Sequence, residues 1–283
     1  MRPGLRTGAL TAATMIAFAA NSLLCRAALQ HDAIGPARFT AIRILAGALA
    51  LAPLAWTRSS PARRHGTWPA AIALFAYALF FSLAYVRLQA GTGALLLFGT
   101  VQAAMIAWGL RGGERPGPVT WLGLAGALGG LAWLLLPGIS APHPFGAALM
   151  IGAGLSWSAY SIFGRGAADP IAATAGNFLR AVPLAAAALF ALGLRETMTA
   201  RGLALAAISG ALTSGLGYVL WYAALRSLPV TSAAIVQLAV PVVAAAGGVL
   251  LLGERPGLRL VLAGSLVLAG VAAAILGRTR RPP

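Results

Sequence analysis

Apolar runs of about 20 residues, each long enough to cross a hydrocarbon core roughly 30 Å thick as a helix, recur along the whole chain with only short polar breaks. The pattern predicts ten spanning helices, at Gly8–Leu29, Gly35–Trp56, Trp68–Leu88, Thr92–Leu110, Val119–Leu136, Phe145–Gly164, Pro170–Leu194, Leu203–Leu225, Ser232–Leu252 and Leu258–Leu276. No connection is long enough for a soluble domain, and the longest, Thr57–Thr67, reads as a polar Arg/Ser/Pro loop. The basic start, Arg2 and Arg6, followed by an apolar stretch has the order of a signal peptide, but the run is nearly a full span and is expected to be a retained first helix.

Composition agrees with the pattern: 59% of residues are hydrophobic, 9% are charged, and the mean hydropathy is +0.85. Such a chain has too little polar surface to cover a soluble globule, so it is expected to be an all-α integral membrane protein. The formal charge of +16 would suggest nucleic acid in a soluble protein. Here every basic residue is Arg, and most stand at helix ends, where they meet anionic headgroups and set topology, so no nucleic-acid partner is expected. The excess of Arg on one set of connections, including Arg2, Arg6, Arg58, Arg63, Arg64, Arg111, Arg115, Arg165, Arg226, Arg278, Arg280 and Arg281, places both termini on the cytoplasmic side. The lone Cys25 forms no intramolecular disulfide, and no Cys/His spacing resembles a metal site; no metal and no cofactor are expected.

The pentapeptide Gly-Glu-Arg-Pro-Gly occurs twice, at Gly113–Gly117 and Gly253–Gly257, each time between two apolar runs. The repetition extends further. Phe18, Asn21, Ser22 and Arg26 have the spacing of Trp157, Tyr160, Ser161 and Arg165, and Arg87 followed by Thr92 matches Arg226 followed by Thr231. The chain therefore divides into repeats at residues 1–138 and 139–283, five helices each, with Pro137–Pro144 between them. Because five is odd, the second repeat must enter the membrane upside down relative to the first. That is the inverted-repeat architecture, with a central site between the halves.

Two five-helix repeats, each closing its fourth helix with Gly-Glu-Arg, resemble the EamA-type members of the drug/metabolite transporter superfamily over the full length of the chain. Ser156-Trp157-Ser158-Ala159-Tyr160 is similar to the aromatic amino-acid exporter branch. The resemblance implies a basket-like bundle around a central cavity, in a bacterial inner membrane, exporting amino acids and other small metabolites. One departure is that Val101 stands where family members often carry a proline late in the fourth helix, whereas Pro241 of the ninth is present. The fourth helix is then expected to be straighter and the gate less symmetric.

Candidate cavity residues follow from polar and aromatic positions inside the spans. Tyr77, Phe81 and Tyr85 form one stripe at steps of four; Tyr218, Trp221 and Tyr222 share one face. With Trp157, Tyr160, Phe18 and Asn21 they make a surface suited to substrates that are flat or apolar at one end and polar at the other. The competing reading is packing or an interfacial belt. Gln102, Gln237, Asn21 and Asn177 lie mid-span, and each must face a partner or a wet cavity; interhelical bonding would serve equally. Arg43 and Arg180 lie about 8 to 10 residues inside their helices, roughly 12 to 15 Å at 1.5 Å per residue. Each would contact a substrate carboxylate, bond to open carbonyls, or snorkel to a headgroup layer. Hinge candidates are Pro53, Pro183, Gly217 and Pro241. The fifth and tenth helices, rich in Gly123, Gly126, Gly130, Gly264 and Gly270, read as scaffold or as a dimer surface, leaving monomer and homodimer both open.

The acidic residues Asp32, Glu114, Asp169, Glu196 and Glu254 all fall at or beyond helix ends, as do His31, His65 and His143. A proton-driven pump ordinarily places such a group within the bundle. Facilitated diffusion or exchange is therefore expected, with Glu114 and Glu254 pairing to the adjacent Arg115 and Arg255 in tight turns; the alternative is that Glu114 or Glu254 is drawn into the bundle in one conformation. A membrane-embedded lipid enzyme would need a nucleophile with a base, a metal cluster or paired carboxylates, and none is apparent. A multidrug or nucleotide-sugar carrier remains the other transporter reading; a cation pump lacks its carboxylate, and a phosphate clamp would have only Arg43 and Arg180 to offer.

Overall fold

A computed structural model describes residues 3–56, 66–111, 117–136, 141–164, 167–225 and 236–276. Prolines punctuate the helices where their missing N–H costs nothing, since Pro36, Pro118, Pro144 and Pro170 are the first residues of α2 (Pro36–Trp56), α5 (Pro118–Leu135), α6 (Pro144–Gly164) and α7 (Pro170–Ala188). Side-chain caps start others. Thr67 accepts from the Ala70 N–H at the head of α3 (Trp68–Tyr85), and Asp169 accepts from Ile171 and Ala172 at the head of α7. The remaining elements are α1 (Pro3–Leu29), α4 (Ala90–Arg111), α9 (Ala239–Leu252) and α10 (Leu258–Leu276), with α8 built from three contiguous pieces, Ala200–Ile208, a π-helical Ser209–Leu216 and Gly217–Leu225. A second π-helical stretch, Leu189–Gly193, closes α7.

Eight of these helices are long and apolar enough to cross a membrane, while α9 and the apolar part of α10 are shorter. The protein is thus an all-helical, multi-pass membrane protein. The expected ninth span began at Ser232, but residues 226–235 lie outside the described part. So do most of the Thr57–Thr67 loop, the first pentapeptide through Pro116, residues 137–140 of the linker, and Arg165, Arg226 and Thr231 of the repeat match.

Packing joins the two halves more than it joins neighbours in the chain: α1 lies on α8 and α9, α2 on α7 and α8, α3 on α6 and α7, α4 on α6 and α9, and α5 on α10. Exchanging each helix n with n + 5 leaves these pairings unchanged. Direction also reverses, because Gly146 and Phe145 at the start of α6 sit against Arg87 at the end of α3, the end of the bundle where α1 also finishes. The α5–α10 pair is tight because Gly123 and Gly270 face each other's backbones, where a Cβ on either would collide with the opposite chain. Its outer face carries exposed Trp121, Leu122, Leu262 and Leu266, as a lipid-facing surface requires.

Candidate functional site

Arg43, in the second turn of α2, is 1% exposed in the middle of the bundle. Its Nε–H donates to Ser214 Oγ at 2.8 Å, and Nη2 donates to the phenol oxygens of Tyr77 at 3.2 Å and Tyr218 at 3.0 Å. Its guanidinium carbon also lies 5.1 Å from the ring centroids of Tyr77 and Phe81, within cation–π range. Nη1 is buried and has no acceptor among the described residues. Hydroxyls and ring faces therefore solvate this cation, and no carboxylate among the described residues lies against it.

The helices can come this close because Gly210 of α8 lies on the Arg43 backbone carbonyl, and a Cβ there would run into it. The π-helical stretch then decides which α8 side chains point inward. Its i→i+5 closure gathers Ser209, Gly210, Thr213, Ser214 and Gly215 on the buried side toward α1 and α2, while Leu212 stays exposed. Ser209 and Thr213 both donate to Asn21 Oδ1, at 2.7 and 3.1 Å, and Asn21 Nδ2 donates to the Tyr77 phenol at 3.3 Å. One polar network thus runs through α1, α2, α3 and α8, with Arg43 and Asn21 meeting on Tyr77.

Aromatic rings cover this network. Phe18 contacts Phe98, Trp157, Tyr218 and Trp221 at centroid distances of 6.4, 5.7, 6.0 and 5.8 Å. Trp157 stands 4.9 Å from Tyr77, 4.7 Å from Tyr218 and 5.6 Å from Tyr160, and Phe178 adds a ring 6.1 Å from Tyr218. Nine of the sequence candidates therefore converge: Phe18, Asn21, Arg43, Tyr77, Phe81, Trp157, Tyr160, Tyr218 and Trp221. Gln102, one turn after Phe98 on α4, is also buried, as is Gln237 just ahead of α9. The Tyr222 side chain lies outside the described part.

Other candidates stand apart from the network. Tyr85 continues the α3 stripe through Phe81, 4.7 Å away, but its phenol donates to the Ala90 carbonyl at the start of α4. Asn177 accepts the Thr67 N–H at 2.9 Å and so holds the head of α3. Arg180 donates to the carbonyl of Gly176 on its own helix at 3.0 Å. Pro53 and Pro183 lie inside α2 and α7, Gly217 follows the π segment directly, and Pro241 sits in the first turn of α9, a place where proline bends nothing.

Glu254 overturns one expectation. It does not turn back on Arg255; Gly253, at a φ of 67°, throws the chain across the bundle so that Glu254 accepts from Arg26 Nε at 3.2 Å and from the Ala90 N–H at 3.0 and 2.9 Å. A carboxylate at a helix N-terminus satisfies an orphan N–H and the helix dipole together. Glu196 does the same for α2, taking the N–H groups of Ala37 and Arg38, while Arg38 donates to the Gly193 and Leu194 carbonyls. The two connections there also pair as backbone: Gly35 N–H to Thr197 O and Thr199 N–H to Ala33 O. Sequence reasoning placed both glutamates at helix ends but missed what they cap, along with Ser209, Thr213 and Ser214. The only signal for the latter was a run of small polar residues inside an apolar span. Among the described residues no group of three His, Cys, Asp or Glu side chains could hold a metal ion.

The family model of EamA-like transporters matches the chain twice, over residues 6–136 and 144–276. The chain belongs to the EamA-like transporter family. Within reach of the family are an uncharacterized protein of Pseudomonas aeruginosa, 53% identical over 283 residues and 99% of each chain, and the uncharacterized transporter YwfM of Bacillus subtilis, 26% identical over 86% of this chain and 87% of that one. An uncharacterized transporter of Archaeoglobus fulgidus is 27% identical over 94% of this chain and 96% of its own. A solved structure described only as the crystal structure of a protein superposes with a TM-score of 0.67, covering 97% of this chain and 99% of that one at 20% identity, which supports the fold alone. The chain is therefore an EamA-family membrane transporter.

Proposed function

We propose that the protein exports small amphipathic metabolites, amino acids including aromatic ones being the first class to test, by alternating access without proton coupling. The observation that carries this reading is the meeting of one cation, several hydroxyls and a nest of aromatic rings at mid-bundle, contributed by helices of both halves. Such a site meets a flat apolar group with ring faces and a polar head with hydrogen bonds. The acidic residues described, Asp32, Asp169, Glu196 and Glu254, stand at helix ends, and none joins the network; this favours a carrier that runs down the gradient of an accumulated metabolite.

In this reading α9 and α10 complete ten crossings, residues 1–138 and 139–283 form inverted repeats, and both termini face the cytoplasm of a bacterial inner membrane. The n-to-n + 5 pairing and the opposed starts of α1 and α6 support it. The family's aromatic amino-acid branch supplies the substrate expectation through Trp157 and Tyr160. Counterflow in proteoliposomes tests it: vesicles loaded with unlabelled phenylalanine, tryptophan or leucine should accumulate labelled phenylalanine, and collapse of the proton gradient should leave the rate unchanged. Failure of every amino acid while nucleosides or amphipathic cations exchange would move the substrate to another class.

A further inference from the structure

Arg43 is a complete cation with an incomplete shell. Its Nε–H and both N–H groups of Nη2 are taken by Ser214, Tyr77 and Tyr218, three uncharged hydroxyls, while the two N–H groups of Nη1 point at nothing among the described residues. A guanidinium cannot shed its proton to escape burial, so the charge persists in every state of the protein. Buried charges in membrane proteins are ordinarily paired. The ion pair among the described residues, Arg26 with Glu254, lies at the bundle end, where Glu254 is already shared with the Ala90 N–H. Nothing else in the network is ionic: Asn21, Ser209, Thr213, Tyr77 and Tyr218 are neutral donors and acceptors.

We propose that the missing counter-charge arrives with the substrate: Arg43 Nη1 binds the carboxylate of a monovalent aromatic acid that lacks an ammonium group, and each turnover carries one net negative charge across the membrane. This rests on the transporter reading above and, within its small amphipathic metabolites, sets aromatic acids ahead of the amino acids. A carboxylate on Nη1 gives a charge-assisted bond without breaking the three that hold Arg43. The aromatic group enters among Phe18, Trp157, Tyr218 and Trp221, parting rings that now rest on one another at 4.7 to 6.0 Å. An amino acid offers the same carboxylate but brings a second charge into the field of Arg43, and the described network holds no acidic side chain to receive it. Its deaminated analogue is therefore the better ligand.

The same charge supplies the driving force. A cell interior negative by 100 mV favours the exit of a monovalent anion by roughly 50-fold in concentration ratio. Export of such an acid then needs no coupled proton, which accords with a bundle whose described acids all stand at helix ends.

The test uses full-length protein in proteoliposomes at pH 7.5, with protein-free vesicles subtracted, and three probes of one shape: phenyllactate (anion), phenyllactamide (neutral) and phenylalanine (zwitterion). Efflux of loaded phenyllactate should rise at least tenfold when valinomycin and a potassium gradient make the vesicle interior negative, phenyllactamide flux should ignore the potential, and phenylalanine should compete at least tenfold less well than phenyllactate. Arg43→Gln should cut phenyllactate flux at least tenfold more than it cuts phenyllactamide flux, and Arg43→Lys should recover part of the anion flux. Equal loss of anion and amide in the glutamine variant, with no recovery by lysine, would make Arg43 a packing residue and overturn the proposal. Voltage-independent flux, or phenylalanine preferred over phenyllactate, would overturn it while leaving the transporter reading in place. Exchange of none of the three probes by the unaltered protein, with nucleosides also inert, would remove the underlying reading and the proposal together.

Discussion

Two arginines occupy comparable depths on helices that correspond under the n-to-n + 5 exchange, Arg43 on α2 and Arg180 on α7, and their surroundings have diverged. Arg43 is sealed from solvent and bonds to two other helices, α8 through Ser214 and Tyr218 and α3 through Tyr77. Arg180 is half-buried and turns back to a carbonyl of its own helix, Gly176. The n-to-n + 5 exchange supplies two corresponding places for a cation, and among the described residues Arg43 is the one that meets hydroxyls of α3 and α8 together. The partner of α2 is α8, whose π-helical stretch turns Ser209 and Ser214 inward. The partner of α7 on the other side is α3, a regular helix whose inward face is aromatic, Tyr77 and Phe81. The π-helical geometry of α8 is what brings Ser214 to Arg43.

The largest expected effect tests that contrast directly. Arg43→Leu should reduce transport by at least about 20-fold, the cost of losing a buried charge and its bonds, whereas Arg180→Leu should stay within about threefold; parallel flux assays on the two variants decide it, and equal losses would erase the distinction. Next comes the close approach that makes Arg43's position possible. Gly210→Val should drive α2 from α8 and lower stability by about 1–3 kcal/mol, read as a drop in melting temperature of the detergent-solubilised protein. A silent substitution there would mean that the helices do not meet at Gly210.

Smaller effects ask whether the contrast is local. Glu254→Ala removes a carboxylate from Arg26 and from the head of α4 and should cost about 1–2 kcal/mol of stability, measured by thermal unfolding, without changing substrate preference; a changed preference would tie the bundle end to the centre. Tyr77→Phe deletes the hydroxyl on which Arg43 and Asn21 meet and should weaken substrate binding about fivefold, corresponding to about 1 kcal/mol. Competition by unlabelled substrate reads it, and an unchanged half-saturation concentration would place Tyr77 outside the path.

Hydrophobic run lengths carry the helices: the starts expected at Gly35, Val119, Phe145 and Pro170 lie within one residue of Pro36, Pro118, Pro144 and Pro170. Polar residues inside apolar spans are costly enough to be conspicuous, so Asn21, Arg43 and the tyrosines are legible as interior groups. Helical spacing does not reveal a change of helix type, and Ser209, Thr213 and Ser214 were therefore hidden: an α-helical pitch scatters what the π stretch gathers. Sequence proximity misled at Glu254, where Arg255 is adjacent in the chain yet the positive φ of Gly253 sends the carboxylate to Arg26 and Ala90. Asn177 and Arg180 had mid-span positions indistinguishable from Asn21 and Arg43, since which face of a helix meets which neighbour is a tertiary fact.

The stitching between residues 32–38 and 193–199 bears on time. Thr197 and Thr199 donate side-chain bonds to the Asp32 and Ala33 carbonyls in addition to the backbone pairs, and Glu196 and Arg38 add four more. If access is to alternate, this end of the bundle has to part, and bonds that share two short segments break together or hardly at all. Opening then becomes an all-or-none event with a long waiting time, and the pace of turnover is set by these two segments, remote from the rings and the arginine that would choose the cargo.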